Sequence, residues 1–145
     1  MLAMNSTPPS DVAPSGTAPS RILLVEDNRD AALFVTHVLE KQGQFEVTHT
    51  PDPAAALALV VDEPWDLVIS DLELPGMNGL ELITALRRLV PLLPVMIVTA
   101  HESAARVAEV REAGCPVLLK PLRVDELLST VAALIRDARS AKDGQ

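Results

Sequence analysis

Aromatic side chains are nearly missing from this chain: no Tyr, two Phe and one Trp among 145 residues. Its core must therefore be built from Leu, Val, Ile and Ala. Cysteine occurs once, as Cys115, which excludes a disulfide framework and a cysteine-based zinc site and fits a reducing cytosol. Basic residues number 12 against 20 acidic ones, for a net charge of −8. With no basic stripe and no aromatic platform, a nucleic-acid surface is not expected. No apolar run approaches the roughly 18–20 residues that span a bilayer, and the first residues lack the basic-then-apolar layout of a signal peptide. What remains is an acidic chain expected to be soluble and cytoplasmic. It is 48% hydrophobic with a mean hydropathy of +0.25, which suits one domain with a real core and is too short for two.

Residues 1–20 carry Pro8, Pro9, Pro14 and Pro19 among Ser, Thr, Ala and Gly. Such a composition buries too little to offset ordering entropy, so a disordered arm is expected there. Residues 21–138 then alternate between two patterns. Arg21–Val25 reads as a strand ending in Glu26-Asp27. Asn28 or Asp30 can cap a helix with Ala31, Phe34, Val35, Val38 and Leu39 at helical spacing, closed by Gly43. Phe45–Thr50 reads as a strand. Pro53–Val61 reads as a helix with proline in its first turn, stopped by Pro64. Leu67–Asp71 is a continuous apolar run ending in an acid, followed by a turn through Pro75, Gly76, Asn78 and Gly79.

A helix follows from Leu80 to Val90, cut by Pro91 and Pro94, then a strand over Val95–Val98 ending in Thr99-Ala100. Glu102–Ala113 is the fourth helix, with Gly114 as its terminating residue. Val117–Leu119 is a short strand before Lys120-Pro121, and Val124–Ala138 is the last helix, burying Leu127, Leu128, Val131, Leu134 and Ile135. Residues 139–145 read as a frayed tail. Five strands alternating with five helices imply an α/β fold: a doubly wound parallel sheet of flavodoxin-like (βα)5 type, in the order 2-1-3-4-5.

Parallel strands put all their C-terminal ends on one edge. Glu26 and Asp27, Asp71, Thr99 and Lys120 should therefore converge, although they are far apart in sequence. Three carboxylates in close company repel unless a cation neutralises them. An all-oxygen set without His or Cys suits a hard divalent ion, for which Mg²⁺ is the natural choice. Asp71 then has a carboxylate oxygen available as a nucleophile toward phosphorus. Lys120 offers a point charge and Thr99 a hydroxyl to phosphoryl oxygens. Ala100 is small enough to leave the approach open.

On these residues the sequence resembles the receiver domain of two-component response regulators, over about residues 21–138. The matching stretches are Val25-Glu26-Asp27-Asn28, Ser70-Asp71 through Asn78-Gly79, Val98-Thr99-Ala100 and Leu119-Lys120-Pro121. The resemblance implies that Asp71 accepts a phosphoryl group from a histidine kinase or a histidine phosphotransfer protein. It implies Mg²⁺ ligation by Asp27, Asp71 and the backbone carbonyl of Glu73, with Glu26 acting through water. It further implies that Thr99 swings toward the phosphoryl group, that Lys120 pairs with it, and that the Lys120–Pro121 bond is cis. Such a protein is a signalling domain that catalyses only its own phosphotransfer and dephosphorylation.

The departures from the family are specific. Val117 stands where the family usually has an aromatic switch residue, and Leu122 replaces the Phe that often follows the proline. Output must then use the loop between the fourth strand (Val95–Val98) and the fourth helix (Glu102–Ala113), and that helix, by another route, or be weak. Glu73 and His101, two residues beyond Asp71 and Thr99, occupy the positions that tune loss of the phosphoryl group in this family. The output partner is expected to be a protein engaged through the face made by the fourth helix (Glu102–Ala113), the fifth strand (Val117–Leu119) and the last helix (Val124–Ala138), where Arg106, Glu109, Arg123 and Asp125 lie; the family also uses that face for homodimers. A phosphorelay intermediate and a phosphorylation-independent interaction module are the alternatives within this fold. A haloacid-dehalogenase-type phosphatase would also use Asp71, Glu73, Thr99 and Lys120. However, that family places its further acids downstream, and no residues remain here for a cap. A nucleotide-binding flavodoxin module would need a Gly-rich phosphate loop that is missing.

Overall fold

A computed structural model describes residues 18–100 and 104–143. The expected arm lies outside the described residues as far as residue 17, as does His101. Among the described residues the chain alternates strictly: β1 (Arg21–Val25), α1 (Arg29–Lys41), β2 (Glu46–Thr50), α2 (Pro53–Asp62), β3 (Leu67–Asp71), α3 (Gly79–Leu89), β4 (Val95–Thr99), α4 (Ala104–Glu112), β5 (Val117–Leu119) and α5 (Val124–Asp143). All pairings are parallel and the strand order is β2-β1-β3-β4-β5. This is the doubly wound α/β sheet that the alternation predicts.

Side-chain alternation along each strand divides the core into two layers. Leu23, Val25, Val68 and Ile97 face α2, α3 and α4 through Ala56, Val60, Leu82, Ile83, Leu86, Val107 and Val110. Ile22, Leu24, Ile69, Met96 and Val98 face α1 and α5 through Val35, Val38, Leu39, Leu127, Val131 and Ile135. The central strands β3 and β4 are buried along their whole length, which is why they read as unbroken apolar runs. The scarce aromatics still contribute. Trp65 is buried, its indole N–H donates to the Leu59 carbonyl at 2.9 Å, and the Arg21 guanidinium lies 4.2 Å from its ring centroid.

Local signals set the helix ends, as expected for Asn28, Pro53 and Gly114. Asn28 caps α1 by accepting from the Ala31 N–H, and Asp52 caps α2 with Pro53 at its start. Asn78 and Glu81 form a reciprocal capping box at α3, and Gly114 closes α4 at φ +82°.

Four details differ from expectation. Phe34 is 43% exposed, because it lies roughly a hundred degrees around α1 from the centre of the buried stripe of Ala32, Val35, Val38 and Leu39. Leu128 and Leu134 are only partly buried, flanking the central stripe of α5. Gly43 is not the left-handed residue after α1; Gln44 is, at φ 58°. Glycine suits position 43 for space, since a Cβ there would come within 2.7 Å of the Phe45 ring. Finally, α5 continues to Asp143, and Arg139 donates to the Ser20 hydroxyl at 2.7 Å.

Gly79 is the tightest point near the Asp71 turn. Its N–H donates to the Leu72 carbonyl at 2.6 Å, and a Cβ would lie 2.8 Å from Leu72 Cα and 3.1 Å from the Asp71 carbonyl oxygen. Both obstacles are backbone, which yields less readily than a side chain. Gly79→Ala should therefore destabilise the fold by about 1–3 kcal/mol, the usual range for overpacking. Urea denaturation should show this as a lower midpoint with an unchanged slope.

Candidate functional site

Four of the five strands deliver polar groups to the C-terminal edge of the sheet. The ends of β1 and β3 are neighbours, with Val25 in register with Ser70. This brings Glu26 and Asp27 beside Asp71: one oxygen from each of these carboxylates can be chosen so that all lie within 4.8 Å of one another. Glu26 is buried at 1% exposure and Asp71 is buried, while Asp27 is exposed.

Lys120 reaches this cluster from the end of β5. Its Nζ donates to Glu26 Oε1 and to Asp71 Oδ2, each at 3.2 Å. The Lys120 backbone N–H donates to the Thr99 carbonyl at 2.7 Å, tying the lysine to the end of β4, and the Lys120–Pro121 peptide is cis. Thr99 is buried and Ala100 half-buried. Glu73 donates its N–H to Asp71 Oδ1 at 3.2 Å, and its carboxylate pairs with Arg106 of α4 at 2.8 Å. Val117 is half-buried against the core.

The electrostatics follow from this packing. Burial pushes the Glu26 carboxyl above its ordinary pKa, and the nearby Asp71 charge adds to that; the Asn28 N–H and Lys120 oppose it without cancelling it. Burial pulls the Lys120 ammonium down, but attraction to Asp71 and Glu26 and the hydrogen bonds to both outweigh it, so its pKa is raised. The lysine is therefore held charged. Cys115 is a buried thiol, pushed up to about 11 by desolvation and donating to the Val95 carbonyl; it is inert and belongs to the core.

The donor set is all carboxylate oxygen, without His or Cys, and it fits a hard divalent cation. Glu26, Asp27, Asp71 and Lys120 thus come together as strand-end logic predicts, and Thr99 is tied to them through its backbone carbonyl. Three contacts had no such signal. The Asn28 N–H donates to Glu26 Oε2 at 3.1 Å, His49 Nε2 sits 2.6 Å from the Glu26 carbonyl, and Arg106 reaches Glu73. His49 reads only as one residue of an edge strand, and Arg106 only as part of a charged helix face.

The raised Glu26 pKa fixes the sign of a pH effect. The folded state holds this proton more tightly than the unfolded chain, so the contribution is fully present below the ordinary value of 4.5 and lost as pH rises through the raised one. In chelator, the stability of the wild type relative to Glu26→Gln should therefore fall as pH rises above about 4.5 toward neutrality. Thermal melts of the two proteins across that range check it. A constant difference between them would contradict the assignment.

Comparison with known proteins agrees with this geometry. The family profile described as the response regulator receiver domain matches residues 22–132. The chain is 37% identical over 117 residues to the transcriptional regulatory protein TctD of Salmonella typhimurium, covering 80% of this chain and 52% of that protein. It thus spans about half the length of that relative. It is 33% identical over 119 residues to the response regulator receiver protein CpdR of Brucella abortus, covering 79% of this chain and 96% of that one. Among solved structures, the CheY-like receiver domain from Methanospirillum hungatei superposes with a TM-score of 0.78 at 26% identity, over 86% of this chain and 99% of that one. With a match running from the second residue of β1 well into α5, in a sheet of the same order, the chain belongs to the response regulator receiver domain family of two-component systems.

Proposed function

We propose that Asp71 is a phosphoryl acceptor, charged from the phosphohistidine of a histidine kinase or histidine phosphotransfer protein. The observation that carries this reading is the Asp71 carboxylate held by Lys120 inside a three-acid cluster at the strand edge. An Asp71 carboxylate oxygen attacks phosphorus, forming the new P–O bond while the P–N bond of the phosphohistidine breaks. The electron pair of that bond goes to the imidazole, and Asp71 becomes an acyl phosphate. Lys120 pairs with the incoming phosphoryl oxygens as a fixed positive charge, and the Thr99 hydroxyl donates a further hydrogen bond to them. Glu26, Asp27, Asp71 and the backbone carbonyl of Glu73 would hold Mg²⁺, which when bound neutralises charge on the acids and on the phosphoryl oxygens.

Glu73 and His101, two positions beyond Asp71 and Thr99 in the sequence, set the lifetime of the acyl phosphate. Output passes to a protein partner over the face made by α4, β5 and α5, which also serves a homodimer. The Arg106–Glu73 ion pair favours α4 as the first element to respond, because it joins that helix directly to the residue two beyond Asp71. With Val117 in place of a ring, this contact stands where side-chain rotation is missing.

Incubation with acetyl phosphate and Mg²⁺, read by intact mass, should add one phosphoryl group to the wild type and none to Asp71→Ala. Lys120→Ala should slow the addition about a hundredfold, the scale seen when one charge-stabilising donor is removed. A phosphoryl group retained in Asp71→Ala, or no addition to the wild type, would sink the proposal. Replacing Glu73 and His101 together by alanine should change the decay of phospho-Asp71; an unaltered lifetime would remove the role assigned to that pair.

A further inference from the structure

Glu26 and Asp27 are consecutive, and the peptide that joins them has the Glu26 carbonyl on one side and the Asp27 N–H on the other. Its orientation sets the direction from which the Asp27 side chain departs. Strand β2 holds this segment at two points. The Glu26 N–H donates to the Thr50 carbonyl at 3.1 Å, and the Glu26 carbonyl lies 2.6 Å from His49 Nε2. A carbonyl oxygen can only accept, so Nε2 is the protonated ring nitrogen and donates.

We infer that His49 is a positioning residue for the acid pair: by fixing the Glu26–Asp27 peptide plane, it sets the geometry in which the cluster receives its cation. The inference rests on the reading of Glu26, Asp27 and Asp71 as the Mg²⁺ site. The Glu26 side chain is independently restrained, by Lys120 on Oε1 and the Asn28 N–H on Oε2. Asp27 is exposed, and no comparable bond to its carboxylate is found among the described residues. Its direction therefore depends on the backbone, and the His49 bond acts on the peptide that immediately precedes its N–H.

His49 also borders an open pocket of about 540 Å³ shared with Asp27, Arg29, Leu33 and Pro51. If the imidazole is removed, water from this pocket can satisfy the Glu26 carbonyl. The cost of removing His49 is then loss of orientation rather than an unsatisfied buried acceptor. Outer-shell hydrogen bonds of this kind are typically worth 10- to 100-fold in metal affinity. The lower end applies here, because the bond acts through the backbone rather than on a ligand atom.

The test is a Mg²⁺ titration of the metal-free protein followed by amide NMR, on wild type, His49→Ala, His49→Leu and His49→Gln. His49→Ala and His49→Leu should each weaken Mg²⁺ about tenfold. His49→Gln, which keeps an N–H donor of similar reach, should bind within about threefold of wild type. The Asp27 amide resonance should move in the Ala and Leu variants before any ion is added, and return toward its wild-type position in Gln. A merely structural role would lower thermal stability without this donor-dependent rescue. Equal affinity in wild type and His49→Leu overturns the inference and leaves the Mg²⁺ reading standing. A wild type that shows no Mg²⁺-dependent shift overturns both.

Discussion

Two carboxylates at the ends of adjacent parallel strands share one ammonium group, and the strand-edge site depends on that arrangement. Without Lys120, the buried Glu26 and Asp71 would face each other across a space too small and too dry for water to screen them. One cation shared by two acids lowers that repulsion but leaves a surplus of negative charge beside the exposed Asp27. A site left in this condition is poised for a second cation and for anionic groups that bring one with them. Carboxylates that repel each other are costly to a fold, and a surplus of them held together by the backbone marks a functional edge.

The sheet supplies the rigidity. The strands β1, β3 and β4 carry fully buried apolar residues packed on both faces, so their ends cannot drift apart to relieve the repulsion. The connections then fix the remaining freedom. The Lys120 N–H is anchored to the Thr99 carbonyl, and the turn after Asp71 is closed by Gly79 against Leu72. The acid pair is fastened to β2. Polar groups from four strand ends thus share one frame, although their side chains lie in very different degrees of exposure.

The missing aromatic on β5 changes how that frame can communicate. Val117 is half-buried against the core and has no ring to turn. Among the described residues, Arg106 links the site directly to α4 through Glu73. An exposed ion pair contributes little to stability. Its partner nevertheless sits beside Asp71, so on the proposed reading new negative charge there would be felt at the Glu73–Arg106 contact as well as at Lys120. A pair that contributes little to stability can be rearranged at little cost, which suits a responsive contact better than a structural one.

The linear chain carried the alternation of strands and helices, the cap at Asn28, the proline that opens α2, and the polar residues that close four of the strands. These depend on neighbours a few positions apart and on side-chain period, both of which can be read without knowing the fold. Parallel strands then bring their ends to one edge, so the meeting of Glu26, Asp27, Asp71 and Lys120 was also legible. Other features were decided only by tertiary packing. The choice of Glu26 as the second partner of Lys120, 94 positions away, the placing of His49 on the Glu26 carbonyl, and the reach of Arg106 to Glu73 are contacts between distant segments. The exposure of Phe34, the crowding that calls for Gly43 and the extension of α5 to Asp143 likewise depend on what each residue meets in space. Local pattern determines which groups stand at the edge; the three-dimensional path determines which of them touch, because a hydrogen bond depends on distance and angle and not on sequence spacing.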